Sequence, residues 1–201
     1  MAQACDADPI VMTSNLSRGG FANPHLFIIS GGPGSGKTTV LNELSRLGYP
    51  VIGEVARTLI QEQLRVGGNA LPWADRKEYT RLMLERSIQV YLANTPSPRR
   101  MFCDRGIPDT LCYARLIDLA DQSAIQDACH RYRYAPVVFL APPWKDIYTT
   151  DDERKQDFFE AERTFTEMAE VYSSLGYELI ELPRVDPGAR AQFIKERLGH
   201  E

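Results

Sequence analysis

Along this chain, short apolar runs alternate with longer segments in which apolar residues recur every three or four positions. That alternation predicts strands separated by helices around a mainly parallel sheet, an α/β fold. "HLFIIS" (25–30) is continuous in apolar residues, as a strand covered on both faces must be. Four more strands are expected at 49–54 ("YPVIGE"), 99–104 ("RRMFCD"), 136–141 ("PVVFLA") and 177–182 ("YELIEL"). Val40, Leu41, Leu44 and Leu47 put one apolar face on the first helix, which ends near Gly48. Residues 54–66 and 73–94 read as two helices parted by "GGNALP", the second opening with Asp75 and Glu78 in capping-box spacing. Pro108 suits the first turn of another helix, Asp121 begins the next, and a long charged helix runs from about Asp152 to Leu175. Asp186 and Pro187 cap and open the last, which ends at Leu198. With no linker or low-complexity block, residues 25–199 make one domain, and residues 1–24 read as a poorly ordered leader.

The first strand runs into "GGPGSGKTT" (31–39), which holds the spacing G-x-x-x-x-G-K-T from Gly31 to Thr38. Glycines let the backbone turn tightly and aim several N–H groups at phosphate oxygens, and the helix that follows adds its positive end. Gly32, Pro33, Gly34, Ser35, Gly36, Lys37, Thr38 and Thr39 are therefore the candidate nucleotide contacts. Lys37 is the cation for the β- and γ-phosphates, and the Thr38 hydroxyl is a ligand for Mg²⁺. An apolar strand before the loop and an amphipathic helix after it make this reading specific. The loop calls for an NTP, ATP or GTP, with Mg²⁺.

Two acids at strand ends extend the site. "LGYPVIGE" (47–54) and "LGYELIEL" (175–182) repeat one helix–glycine–strand junction, but Glu54 stands where the second copy has Leu182. The carboxyl end of a strand is where open α/β sheets bind ligands. Asp104 also ends an apolar strand and is the second candidate Mg²⁺ ligand. The residue after it is Arg105, whereas motor ATPases place a glutamate there, and N-K-x-D, which reads guanine in switch GTPases, is absent. Both facts count against hydrolase and switch readings.

Composition narrows the class further. A chain of 201 residues with 43% hydrophobic and 25% charged residues can bury a core of ordinary size. A net charge of −4 gives no general electrostatic reason to bind nucleic acid or an anionic membrane. No apolar run approaches the ~20 residues needed to span a bilayer. The four cysteines show no C-x-x-C spacing and the three histidines no catalytic spacing, so a reduced, cytoplasmic protein is expected.

"GGPGSGKTT" resembles the loop of adenylate-kinase-type nucleoside monophosphate kinases, with Thr39 where those enzymes usually have glycine. With "E54-V-A-R57" and "D104-R105-G106" the chain is similar to the nicotinamide riboside kinase and deoxynucleoside kinase branch. "GNALPW", "DRGIPD", "RYRYAPVVFLAPPW" and "TDDERKQDFFEAERTF" most resemble a family of small bacterial P-loop proteins grouped with ATPases. That family is grouped also with the kinase domain of the nicotinamide-nucleotide regulator, and the resemblance covers residues 25 to 199. It implies a sheet of strand order 2-3-1-4-5, an acceptor region in the helices of 54–95 and a lid at 144–164. It also implies roles: Glu54 takes the acceptor's proton or positions it, Arg57 stays beside that carboxylate, and Arg105 brings a cation to the phosphates. Arg154, Lys155 and Arg163 are the candidate lid cations; Trp73, with Arg76 and Tyr79 nearby, reads as a ring to stack on the acceptor or as a core anchor. "RYRY" (131–134) reads equally as a ligand contact or a helix end, and "PRVDP" (183–187) lies where related kinases touch the base. The expected function is phosphoryl transfer from ATP to a small metabolite such as a nucleoside or nucleotide. The alternative is a regulatory NTP-binding interaction module. The acceptor, the base preference and the oligomeric state are left open.

Overall fold

Odd and even positions along the central strands face opposite layers. The structure, a computed structural model, describes residues 20–95, 97–147 and 158–199. Its first elements are β1 (Phe21–Ala22), β2 (Leu26–Gly31), α1 (Lys37–Arg46), β3 (Val51–Ile52), α2 (Val55–Val66) and α3 (Arg76–Asn94). There follow β4 (Met101–Asp104), α4 (Ile107–Leu116), α5 (Ser123–Arg131), β5 (Tyr132–Arg133) and β6 (Val137–Ala141). A short 3₁₀ turn (Lys145–Ile147), α6 (Phe158–Ser174), β7 (Glu178–Glu181) and α7 (Pro187–Leu198) complete the described chain. Leu26, Ile28, Met101, Cys103, Val138 and Leu140 share one apolar cluster with Tyr91 of α3, Leu111 of α4, Cys129 of α5 and Val171 of α6. Phe27, Ile29, Phe102 and Phe139 point the other way, onto Val40, Leu41 and Leu44 of α1 and Ile194 of α7. Successive strand residues alternate faces, so a strand apolar at every position buries both and makes a three-layer α/β/α stack.

The five-stranded sheet has the order β3-β4-β2-β6-β7, and each of its pairs is parallel. Numbered over the five strands expected from sequence, this is 2-3-1-4-5. Parallel strands bring their carboxyl ends to one edge, and the register places Ile29 opposite Asp104 and Gly31 opposite Ala141. The phosphate loop, Glu54 and Asp104 therefore meet along that edge. α2 and α3 pack on each other through Leu59, Tyr79 and Met83, with Tyr113 of α4 against them, and so form a side wall beyond it.

Helix ends follow the sequence signals. Asp75 accepts a hydrogen bond from the Glu78 amide at 2.9 Å, and Asp186 accepts one from Ala189 at 3.0 Å. Gly48 and Gly176 close the two echoed junctions with φ of 91° and 78°, where a side chain would be strained. Leu47, expected on the buried face of α1, is instead half exposed, because it lies past the end of the helix.

Part of the stretch read as leader is packed: Phe21 and Ala22 pair in parallel with Tyr132 and Arg133. The Phe21 and Tyr132 rings stack at 5.6 Å, and the Tyr91 hydroxyl donates to the Phe21 and Arg133 carbonyls. "RYRY" is thereby accounted for by packing. Arg133 donates to the Leu175 carbonyl, its guanidinium lies 4.1 Å from the Tyr177 ring centre, and the Tyr134 hydroxyl receives the Ile107 amide. None of the four lines the large cleft described below. Among the described residues no helix is long and apolar enough to cross a membrane.

Candidate active site

The phosphate loop is built as its spacing requires. Gly31 has φ of 145°, and a Cβ there would lie 2.4 Å from the Ala141 carbonyl. Gly36 adopts φ of 82° at the start of α1, so glycine is needed at both ends of the turn. Lys37 is buried, and its Nζ donates to the Gly31 and Gly32 carbonyls at 2.8 Å each. The Ser35 hydroxyl also donates to the Gly32 carbonyl, at 2.8 Å. Burial lowers the Lys37 pKa to about 8, helped by Arg105 and opposed by Asp104, Glu54 and Asp109.

A residue that sequence reasoning missed fixes this loop from behind. Arg190 of α7 is 1% exposed; its Nη1 donates to the Ser35 carbonyl at 2.8 Å and its Nε to the Pro183 carbonyl at 2.7 Å. The guanidinium lies 5.1 Å from the Trp144 ring centre, and its Nη2 is buried without a hydrogen-bond partner among the described residues. The loop after β7, the loop after β6 and the phosphate loop are thus tied by one side chain. Nothing in "GARAQF" (188–193) marks the arginine in sequence, since an arginine in a helix is ordinarily solvated.

Asp104, at the end of β4, is 7% exposed and its Oδ1 has no hydrogen-bond partner among the described residues. Burial pushes its carboxyl pKa up, with Lys37 as the main opposing influence. A buried, unsatisfied carboxylate oxygen beside a phosphate loop is costly unless something occupies it. Together with Thr38, exposed on the first turn of α1, it supplies the hard oxygen donors that suit Mg²⁺, which takes few protein ligands and completes its shell with phosphates and water. The residues present fit that ion.

Arg105 follows at once with φ of 71°, a left-handed conformation that costs a non-glycine residue about 1–3 kcal/mol. Two carboxylates hold it there. Its Nε lies 3.0 Å from Glu54 Oε1, a charge contact without aligned hydrogen-bond geometry, and its Nη1 lies 3.5 Å from Asp109 Oδ1. Burial works against its charge, but Glu54, Asp109 and Asp104 outweigh it and its pKa is raised. Glu54 stands at the N-cap of α2 without making a capping hydrogen bond.

Asp109, which sequence reasoning also missed, is a buried hub. It receives the Ser30 hydroxyl and the Tyr172 hydroxyl at 2.5 Å each and the Gly106 amide at 2.7 Å. The end of β2, the start of α4 and the last turn of α6 are joined through it. The available signal was "DRGIPD" itself, where an acid five residues after Asp104 falls in the first turn of α4 and reaches back to the amide of Gly106.

Lys37, Glu54, Arg105, Asp109 and Arg190 line one cleft of about 1280 Å³, and Asp104 lines a small pocket that shares Glu54, Arg105 and Asp109 with it. Pro33 to Thr39, Trp144, Val185, Pro187 and Arg190 form one end, while Glu54, Arg57, Ile60, Trp73, Arg76, Tyr79 and Tyr113 form the other. Arg105, 3.0 Å from Glu54 and close enough to Lys37 to oppose its charge, lies between. Arg57 and Trp73 are therefore brought to the cleft, and Trp73 is 61% exposed rather than a core anchor. Arg163 is exposed on α6 and does not line the cleft; the residues of that helix that do are Glu160, Thr164 and Met168. Arg154 and Lys155 lie outside the described residues.

Phosphate loop, buried lysine, strand-end aspartate and strand order define a P-loop kinase fold. A family profile described as an AAA domain matches residues 26–190, and the chain belongs to that family. No curated protein matches it. Among solved structures it is similar to a NadR protein in complex with NR, with 20% identity and a TM-score of 0.61 over 87% of this chain and 49% of that one. A thymidylate kinase from Ehrlichia chaffeensis aligns with 16% identity and a TM-score of 0.60 over 88% and 98%. The shikimate kinase from Acinetobacter baumannii in complex with shikimate gives 18% and 0.52 over 88% and 93%. The chain spans about half the length of the NadR protein it matches. At such identities the likeness is one of fold.

Proposed function

We propose that the protein is an ATP-dependent, Mg²⁺-requiring phosphotransferase acting on a small metabolite. The observation that carries this reading is the placement of Glu54. Its carboxylate is held 3.0 Å from Arg105 on the acceptor side of the same cleft that holds Lys37 and the phosphate loop. A water-activating ATPase has no need of a wide acceptor chamber walled by α2 and α3. In the proposed reaction an acceptor hydroxyl attacks the γ-phosphorus, the bond from that phosphorus to the ADP oxygen breaks, and the hydroxyl proton passes to Glu54. Such transfer is governed mainly by positioning and charge stabilisation, so a weak carboxylate base suffices. Lys37 and Arg105 face the charge that develops on the moving group, and the loop amides hold the β-phosphate. Thr38 and Asp104 would hold Mg²⁺, which would neutralise phosphate charge. At the other end the base lies against Trp144 and the 183–187 loop, which Arg190 fixes to the phosphate loop. The fold shared with NadR, thymidylate kinase and shikimate kinase supports the reaction class.

ADP release from ATP–Mg²⁺ in the presence of pooled nucleosides, nucleotides, vitamins and sugars, with Lys37→Ala as control, tests the reading. Release that rises with one pool is expected. Steady release without any pool, lost in Lys37→Ala, would instead make the protein a regulatory ATPase.

A further inference from the structure

The acceptor end of the cleft has an uneven chemistry. Its apolar walls come from Ile60, Leu64, Trp73, Met83, Tyr113 and Leu116, and its cations from Arg57, Arg76 and Arg105. Among the described residues lining that end there is no Ser, Thr, Asn, Gln or His side chain. Its two carboxylates are engaged: Glu54 faces Arg105, and both oxygens of Asp109 take protein donors. A sugar or cyclitol needs a partner for each buried hydroxyl, and this wall offers few.

What the wall does offer is a ring face and guanidinium charge. Trp73 is 61% exposed although it lines the cleft, and Leu64 beside it is 59% exposed. Such a broad indole face suits stacking against a flat ring. The Tyr79 and Tyr113 rings meet edge to face at 5.4 Å and stiffen the wall behind Trp73's end of the cleft. Arg76 begins α3 on the same wall, its Nε held by the Pro72 carbonyl at 3.2 Å. Arg57, on α2, adds a second guanidinium. A ring bearing positive charge would meet both.

We infer that the phosphoryl acceptor is a flat-ring compound carrying an anionic group, selected by Trp73 for the ring and by Arg76 for the charge. The ring lies against Trp73, and its reacting hydroxyl points to Glu54. The inference rests on the phosphotransferase reading, because it names the acceptor of that reaction, but binding can be measured without turnover.

The chain has two tryptophans, so Trp144→Phe leaves Trp73 as the only indole while keeping a ring beside Arg190. In that variant, saturated with a non-hydrolysable ATP analogue and Mg²⁺, Trp73 fluorescence is titrated with four probe sets. These are nucleoside monophosphates, aromatic carboxylates, uncharged nucleosides, and hexoses with cyclitols. Saturable quenching by one of the two anionic ring sets, and none by the hexoses and cyclitols, is expected; which anionic set binds tells phosphate from carboxylate. Adding Arg76→Gln should weaken the anionic ring about five- to tenfold and leave its uncharged counterpart unchanged. Quenching without acceptor-dependent ADP release would uphold the ring-anion site at Trp73 and Arg76 but sink the phosphotransferase reading, and with it the ring anion's role as acceptor. ADP release stimulated by a hexose or cyclitol, with no ring anion quenching Trp73, would do the reverse. No response to any ring anion in either assay overturns the inference, as does an Arg76→Gln variant that binds the anionic ring at full strength.

Discussion

The phosphate end of the cleft is built largely on one stretch of backbone, and the acceptor end on side chains from three helices. Lys37, Ser35 and Arg190 are each 7% exposed or less, whereas Trp73 and Leu64 are each about 60% exposed. At the phosphate end one contiguous stretch of chain supplies nearly every contact. Its ligand, a row of phosphates, has one geometry for backbone amides to match. At the acceptor end the side chains come from α2, α3 and α4, whose spacing is set by the packing of Leu59, Tyr79 and Met83, the Tyr79–Tyr113 contact and the Glu62–Arg86 ion pair. A preformed site for an invariant ligand can be rigid and local, while a site for a particular metabolite has to be assembled from distant residues. Arg105 and Asp109 join the two ends, and through Tyr172 they reach α6.

Substitutions at the two ends should therefore differ in kind. Lys37→Ala should have the largest effect, cutting turnover at least about a thousandfold and weakening nucleotide binding as well. Glu54→Gln should lower transfer by about a hundredfold or more, while equilibrium binding of ATP–Mg²⁺ stays within about twofold of the wild type. That split, read from turnover and from titration of a fluorescent ATP analogue, separates the two ends. Asp109→Asn lies at the junction. It removes a buried charge that takes three directed hydrogen bonds and an ion pair. A loss of about 2–4 kcal/mol in unfolding free energy is expected in urea denaturation. An unchanged denaturation midpoint would mean that the hub does not hold the two ends together.

The smallest effect concerns pH. With its pKa lowered to about 8, Lys37 loses its proton in the folded protein before it does in the unfolded chain. Between about pH 8 and the ordinary lysine value of 10.5 the unfolded state binds more protons, so this group makes stability rise with pH over that window. Nucleotide binding should move the opposite way, because the ammonium form attracts phosphate. ATP affinity should be flat below pH 8 and fall above it, approaching tenfold per pH unit. Affinity that stays constant up to pH 10 would contradict the burial of Lys37 described here.

Much of the fold was legible in the sequence because its signals are local. "HLFIIS" and "PVVFLA" could only be strands buried on both faces, and Asp75 and Asp186 announced the helices they cap. The phosphate loop was legible for the same reason, since its spacing is its geometry. Glu54, Arg57 and Asp104 were located by their place at or just after strand ends. Arg190 and Asp109 were not, because their roles depend on partners 155 and 79 residues away, Ser35 and Ser30. Trp73 was ambiguous for a related reason: an aromatic residue in a helical region carries no sign of whether its ring is covered. Packing decided it, since the end of α2 and the start of α3 leave that ring open to the cleft.

The most direct test of the central claim is the fate of the γ-phosphoryl group. ATP labelled at that position is incubated with Mg²⁺ and a pool of ring-bearing anionic metabolites, using the wild type and Glu54→Gln in parallel. The account predicts label on one small molecule with the wild type, and unconsumed ATP with the variant although it still binds nucleotide. Label released only as inorganic phosphate, at the same rate with and without Glu54, would contradict it.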